Sequence, residues 1–506
     1  MGSGFNFPKK SAIDKYGNFI VAGNTDSTNG YDYIVLKYNP YGNLLWKQRY
    51  NGIGNGYDYL KGMVLDDSGN VYVTGESSEG VALGGINWVT IKYNTEGVLI
   101  WKKSLNWINN NTDEPFGINI DKENNIYVVG FGRVTNIERA LVTIKYSSYG
   151  DSVWTKNYTS LPNRSNWGYS VSIDDSLNVY SSGYGAIQGG NEIVTLKYDK
   201  FGNEKWIRKY PTYSGDYLRP TFSELDKENN LIIVGNSDST HSYDFVTLKY
   251  SSNGNLIWSR MYDAGNIDRA NSLFIDNHSN ILIAGFTFLN NYGDYLILKY
   301  SPEGDTLLNL NINGQDSSSD DEANIILSDT AGNIYVTGAS QSTSFRMDFL
   351  TLKLNSNGDT IWSKRYKTQL ENFAYCLSID KNDNIFVSGE GELTLGYTGI
   401  VTVKYSQLTD IGNNEIILIN SYELYNYPNP FNPSTKINFQ IPEASSVELI
   451  IFDINGREIK TIVNDYKNKG EYTADFSGEN YSSGVYFYSL KINGKLVKTN
   501  KMVLMR

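Results

Sequence analysis

The stretch Asp14-Lys-Tyr-Gly-Asn-Phe-Ile-Val-Ala-Gly23 decides the fold, because the chain writes its pattern eight times. The Asp recurs as Asp14, Asp66, Asp121, Asp174, Asp226, Asp276, Asp329 and Asp380. Four residues after each stands an Asn (Asn18, Asn70, Asn125, Asn178, Asn230, Asn280, Asn333, Asn384), and five further on a Gly (Gly23, Gly75, Gly130, Gly183, Gly235, Gly285, Gly338, Gly389). Successive Asn residues lie 50 to 55 apart, a period of propellers and other repeat arrays. Gly-Asn and Asn-Asn tolerate positive φ, and an Asp that opens a turn accepts hydrogen bonds from the backbone it encloses. The Asp/Asn set is therefore first a hairpin device, and it lacks the ligand-dense spacing of a 12-residue calcium loop.

Two more registers follow the first. A Lys ends the third strand of every unit: Lys37, Lys92, Lys145, Lys197, Lys249, Lys299, Lys353 and Lys404. Nine residues later comes Trp46, Trp101, Trp154, Trp206, Trp258 or Trp362, with Leu308 in the sixth unit. Such a Lys can lay its stem on apolar surface with its ammonium in water. It is also expected to pair with the hairpin Asp of its own unit, at the same end of the sheet.

In the second unit the four strands read Tyr59 to Leu65, Val71 to Thr74 ended by Gly75, Trp88 to Tyr93 and Val98 to Lys103. Eight such antiparallel units, none able to bury both faces alone, predict an all-β chain and a β-propeller of eight four-stranded blades, with seven as the other count. A parallel solenoid would not need two tight reversals per unit. After Lys404-Tyr405 the place of the Trp holds Asn413, and no Trp-bearing strand precedes the first unit. One outer strand is thus missing or disguised, and Glu415 to Ile419 is the candidate that closes the ring. The repeat wording over about residues 5 to 406 resembles the β-propeller repeat labelled SBBP, a family usually described as seven-bladed.

Composition agrees. The chain has 506 residues, 40 Tyr, 20 Phe, 9 Trp and 47 Gly, but 11 Pro, which favours strands and tight turns. Net charge is -11. From Tyr427 onward ten Lys and Arg meet eight Asp and Glu, so the preceding body carries -13. An acidic body argues against nucleic-acid binding. The single cysteine, Cys376, reads as a buried small hydrophobe and can form no disulfide within the chain. No apolar run reaches the length of a membrane helix, and Met1 to Phe5 shows no signal peptide.

The uniform turns after strands one and three belong to one face, and the varied loops after strands two and four to the other, where binding is expected. On that variable face an acid or amide recurs five residues before the Lys: Asp32, Asn87, Glu192, Asp244, Asp294 and Asp348, interrupted by Ala140 and Gly399. Asp32, Glu192, Asp244, Asp294 and Asp348 are the candidate ligand-binding residues, as a negative mouth for cations or basic groups. The alternative is that each simply starts its strand and meets water. Asp316 to Glu322 offers a calcium candidate, against a plain solvated loop; no other cofactor or metal site is read. Trp107, Trp167, Tyr213 and Tyr292 could stack on sugar rings or pack between loops. Of the two histidines, His241 falls in a variable-face loop and His278 in a tight turn, so no shared His site is expected and no catalytic residue is assigned.

After the repeats, residues 407–424 read as a linker or ring-closing strand. Three prolines within six positions (Pro428, Pro430, Pro433) open a segment of about seven short strands, with Asn455-Gly456 and Asn493-Gly494 as hairpin turns. The prediction is a small immunoglobulin-like β-sandwich over 425–506. Its words Tyr427-Pro-Asn-Pro-Phe-Asn-Pro433, Ile451-Phe-Asp-Ile-Asn-Gly-Arg457, Gly484-Val-Tyr486 and Lys501-Met-Val-Leu504 closely resemble the type A sorting domain of the type IX secretion system. The resemblance implies export across the outer membrane of a Gram-negative bacterium, handling by that secretion machinery, and a sorting signal at Pro428, Asn429, Pro430, Gly484, Val485, Tyr486 and Lys501. The function expected is a secreted or cell-surface propeller, monomeric and not membrane-spanning, that binds a protein or glycan through its variable loops. An extracellular polysaccharide-acting enzyme and a structural or adhesive surface protein are the alternatives.

Overall fold

The structure, a computed structural model, describes residues 6–406 and 424–505 apart from 28, 80–84, 108–111, 136, 211–217, 238–243, 265–266, 290–291, 315–318, 343–345, 369, 395–396, 442–443 and 469. Among the described residues every regular element is a strand. The chain divides into two compact units, Met1–Ile417 and Leu418–Arg506.

The first unit contains eight antiparallel sheets in chain order, each built from consecutive strands. Seven have four strands and the eighth, among the described residues, has three (Asn372–Ile379, Ile385–Thr394, Tyr397–Tyr405). The expected closing strand at 415–419 lies outside the described residues. The first blade takes all its strands from Phe7–Tyr50 and ends on its own Trp46, so no strand from before it is needed. The first strand of each blade packs against the first strands of both neighbours, the eighth against the first included. Eight blades therefore close a ring with first strands at the axis and fourth strands at the rim.

The hairpin device is present in all eight blades. Each Asn backbone N–H donates to one oxygen of its Asp and each Asn side chain to the carboxylate, at 2.7–3.1 Å. Five of the eight Lys residues form the expected pair with their own blade's Asp: Lys37 (2.9 Å), Lys145 (3.9 Å), Lys197 (3.6 Å), Lys249 (2.8 Å) and Lys299 (3.6 Å). Lys92, Lys145, Lys197 and Lys353 also lie over the ring of a tyrosine on strand two (Tyr72, Tyr127, Tyr180, Tyr335).

The Lys does more than the sequence suggests. Lys37 and Trp46 both donate to the carbonyl of Thr95 in the next blade. The pairs Lys92/Trp101, Lys145/Trp154, Lys197/Trp206 and Lys249/Trp258 repeat this on Ser148, Lys200, Ser252 and Pro302. The Lys and Trp registers are one blade-to-blade clamp.

The recurring Gly needs a correction. Gly75 does not end strand two, which runs Val71–Ser78. Each of these glycines pairs inside its strand, opposite a β-bulge in the inner strand. The bulge drives an inner-strand carbonyl against the glycine, as with Arg269 against Gly285, where a Cβ would overlap the oxygen. Only Gly leaves that space.

The second unit holds a three-stranded sheet (Leu424–Tyr427, Ser434–Ile441, Gly470–Ser477) and a four-stranded one (Ser445–Phe452, Glu458–Lys467, Gly484–Ile492, Lys495–Leu504). The alternation of each strand places Ile437, Phe439 and Phe476 of one sheet and Leu449, Ile451, Tyr488 and Leu490 of the other in a single core. This is the β-sandwich expected.

Candidate functional site

The acids predicted from sequence sit one per blade at the beginning of strand three, and most are engaged within their own blade. Arg49 pairs with the fully buried Asp32, Lys209 with Glu192 (2.8 Å) and Arg365 with Asp348 (3.4 Å), while the Asn313 amide donates to Asp294 (3.1 Å). Asn87 stands 3.5 Å from the Ser104 hydroxyl. Asp244 lies beside Asp263 and Asp268. Asp32, Glu192, Asp294 and Asp348 thus tie the start of strand three to strand four or the residue after it, and the five candidates are not gathered into one cluster.

A register eight residues before each hairpin Asp escaped the sequence reading: Asn6, Asp58, Asp113, Asn166, Asp268, Asp321 and Asn372, with Leu218 in the fifth blade. Asp58 accepts the N–H groups of Gly52 and Ser78 (2.8 and 3.0 Å), and Asp113 those of Trp107 and Arg133 (3.0 and 2.8 Å). Each thereby fastens a variable-face loop to the inner strand. The signal was present as a fixed offset, but it was hidden by the Asp/Asn alternation. Asp321 does the same, accepting from Gly314 (2.8 Å) and Ser319 (3.0 Å), and Glu322 accepts from Asn271 (2.8 Å). Asp320 accepts the Gly293 N–H (3.1 Å), and the remainder of the calcium candidate, 316–318, lies outside the described residues.

The bulges place the chemistry that the repeat does not dictate. Five residues before each hairpin Asp, the residue that the register shift skips in each inner strand stands at the axis: Lys9, Lys61, Phe116, Tyr169, Thr221, Asn271, Asn324 and Tyr375. Neighbours touch around the ring. Lys61 lies over the Phe116 ring (5.3 Å), and the rings of Phe116 and Tyr169 are 5.0 Å apart. Asn271 and Asn324 meet at 3.5 Å. Two residues nearer the variable face follow Phe7, Tyr59, Glu114, Trp167, Arg219, Arg269, Glu322 and Phe373, none of them buried. Trp167 packs with Phe116, Phe131 and Tyr184 in this wall (5.6, 4.6 and 5.9 Å). Trp107 packs on Trp88 (6.0 Å). Tyr292 is exposed, and Tyr213 lies outside the described residues.

Titration at the axis is perturbed. Burial, then the neighbouring Lys61, lowers the Lys9 ammonium. Burial, then the nearby Glu76 charge, raises Glu114, although Lys61 pairs with both acids (3.0 Å to Glu76, 3.8 Å to Glu114). Deeper in the same wall, burial pushes Glu224 up to about 7. His278 lies in its tight turn, its N–H on Asp276 (2.8 Å), and His241 falls outside the described residues. At the tight-turn end, grooves of about 480 and 390 Å³ open around the Lys–Trp clamp.

In the second unit the sorting residues converge. Asn429 accepts the Val503 N–H (2.9 Å) and donates to the Lys501 carbonyl (3.1 Å), while Gly484, Val485 and Tyr486 pair with Leu504, Val503 and Met502. The Pro428 carbonyl accepts from Thr435 (2.8 Å).

A ring of repeated blades, with a terminal sandwich as a second unit, defines the class: a β-propeller repeat protein. The family described as "Beta-propeller repeat" (SBBP) matches residues 46–80, and "Secretion system C-terminal sorting domain" matches 426–505. The chain thus carries an SBBP-type β-propeller repeat and a type IX secretion sorting domain, which indicates a secreted or cell-surface protein exported by that system. No curated protein sequence matches it. Among solved structures, Sqt1 from Chaetomium thermophilum is 9% identical with a TM-score of 0.48, covering 77% of this chain and 93% of its own. The polysaccharide lyase Uly1 is 8% identical with a TM-score of 0.42, covering 71% and 92%. Among the described residues no helix is long and apolar enough to cross a membrane.

Proposed function

We propose that this protein is an extracellular binding propeller that takes its ligand at the axial mouth of the variable face. One observation carries the reading. The bulge backbone is the same in all eight blades, while its side chain varies among five types, Lys, Phe, Tyr, Thr and Asn. Residues that hold the repeat together (Asp, Asn, Gly, Lys) are uniform from blade to blade, and the Trp is kept in six of them. Freedom from that constraint at the axis fits a surface set by a ligand on a rigid scaffold. The chemistry favours a glycan bearing acidic groups. Tyr59, Trp167, Phe373 and Tyr375 offer faces for sugar rings, and Lys9, Lys61, Arg219 and Arg269 outnumber Glu114 and Glu322 in the same two tiers. After export, the sorting domain is removed and the propeller acts as a monomer, released or held at the outer surface.

The test is a binding screen of the full chain against neutral glycans, acidic glycans and peptides, repeated with Arg219→Ala/Arg269→Ala and with Tyr375→Ala. An acidic glycan bound by the wild type and weakened at least about tenfold in the variants supports the reading, a loss of the size expected for a buried anchor. Peptide binding alone moves the ligand class to protein. Binding that all variants retain removes the axial mouth as the site.

A further inference from the structure

The axial mouth is not the same all round. In its two tiers every aromatic residue lies on blades one to four and eight, whereas blades five to seven present Arg219, Thr221, Arg269, Asn271, Glu322 and Asn324. On the aromatic side contact is continuous from blade one to blade four. Lys9 lies over the Phe7 ring (5.2 Å), Phe7 meets Tyr31 (5.5 Å) and Tyr31 meets Tyr59 (5.1 Å). Lys61 lies over both the Tyr59 and Phe116 rings (5.9 and 5.3 Å), and Phe116 stacks on Trp167 (5.6 Å). The Arg139 guanidinium covers Trp167 at 5.5 Å.

Two features suit this arc to a ligand. The first is a tyrosine platform. The Tyr57 and Tyr59 rings are parallel within 2° at 6.1 Å, and Tyr31 leans on both (6.3 and 5.1 Å). Tyr57 is 56% exposed, none of the three is buried, and among the described residues none of their hydroxyls has a hydrogen-bond partner. Tyrosine offers a rigid ring face and a polar edge at little entropic cost. The second feature is charge at the two ends of the path. Lys9 and Arg139 form no ion pair among the described residues. After burial, the strongest influence on each is another cation, Lys61 and Arg133 respectively, which holds both below their ordinary values, with Glu114 offsetting Arg139 in part. Lys61, between the ends, is already held by Glu76 and Glu114 (3.0 and 3.8 Å).

We infer that this arc takes a linear glycan with acidic groups on recurring units, laid along the wall from blade one to blade four instead of entering end-on down the axis. The inference rests on the axial mouth being the ligand site. A sugar ring is close in size to one aromatic ring, so a single unit covers one step of the path. Lys9 and Arg139 stand on blades one and three, and only a chain of several units reaches both. Its ring faces meet Tyr31, Tyr57, Tyr59 and Trp167, and its anionic groups meet the two cations. Blades five to seven offer the chain hydrogen bonds but no face on which to stack.

The experiment titrates the full chain by calorimetry with galacturonate oligomers, sulfated glycosaminoglycan oligomers and neutral glucose oligomers, each as dimer, tetramer and octamer. Which acidic series binds tells carboxylate from sulfate. Affinity for that series is expected to rise at least about tenfold from dimer to octamer, since each further stacked ring contributes up to about tenfold. Arg139→Gln and the double variant Tyr31→Ala/Tyr57→Ala are expected to flatten that rise while melting like the wild type. Equal affinity for dimer and octamer overturns the inference, as does a rise that both variants keep. If such binding still falls with Arg219→Ala/Arg269→Ala, the axial mouth stands and only the track is lost. Neutral oligomers bound as tightly, or oligothymidylate bound more tightly than either acidic series, overturn it too. No acidic glycan bound at any length removes both the track and the reading beneath it.

Discussion

The Lys404 ammonium donates to the carbonyl of Pro40 at 3.1 Å, joining residues 364 positions apart. It is the clamp seen between successive blades, made here from the eighth to the first. Around it the Phe19 and Phe386 rings stack at 5.1 Å, the Ser11 and Ser378 hydroxyls meet at 2.7 Å, and Asn6 donates to Thr398 (2.7 Å). The ring thus closes through side chains of the three described strands of the last blade.

Phe386→Ala removes a ring that is 2% exposed, and the expected loss is about 3–5 kcal/mol. Because Phe19 is its partner across the seam, the double variant with Phe19→Ala should lose less than the sum, by about 0.5 kcal/mol or more. Denaturant melts of the four proteins give the coupling, and strict additivity would contradict closure at this seam.

Gly285→Ala places a Cβ on the Arg269 carbonyl, whereas at Gly235 the nearest inner-strand carbonyl, that of Arg219, stands 3.1 Å away. Gly285→Ala should therefore destabilise far more than Gly235→Ala, and both more than Gly456→Pro would disturb the propeller, since Gly456 belongs to the other unit. Soluble yield and Tm report the order.

Acid sensitivity has a defined sign. Burial alone would raise the Asp14 and Asp276 carboxyls, but hydrogen bonds from Asn18 and Asn280 and the charges of Lys37 and Lys299 outweigh it and hold both below their ordinary value. Their contribution is present above the unfolded value near pH 4 and is lost as pH falls through the lower folded value. Glu224 runs the other way. Its folded value is raised to about 7, so its contribution is full below about pH 4.5 and lost as pH rises through 7. Glu224→Gln should flatten the fall of Tm between about pH 5 and 8 without altering the acid limb.

Asn429→Ala removes both side-chain hydrogen bonds to the final strand. It is expected to impair export in cells, and deletion of residues 484–506 to abolish it, with the shortened chain retained inside. Secretion at the wild-type level after that deletion would refute the sorting assignment.

The hairpin registers, the all-β class and the terminal sandwich were legible in the sequence because they rest on local chemistry. An Asp and an Asn four residues apart close the same turn wherever they stand, and strands 484–492 and 495–504 flank an Asn-Gly turn that sets their register. The Lys–Trp clamp was visible as a pattern but not as a contact, since its acceptor is a carbonyl of the next blade, which carries no sequence signal. The axial mouth was not legible at all. Lys9, Phe116, Thr221 and Tyr375 share no residue type, and only the bulge opposite a glycine brings them to one axis. Likewise Asp244 was a candidate by its register, but only the fold sets Asp263 and Asp268 beside it. Local backbone chemistry was written residue by residue; what those blades enclose depended on long-range packing, where any side chain that fits the space is allowed.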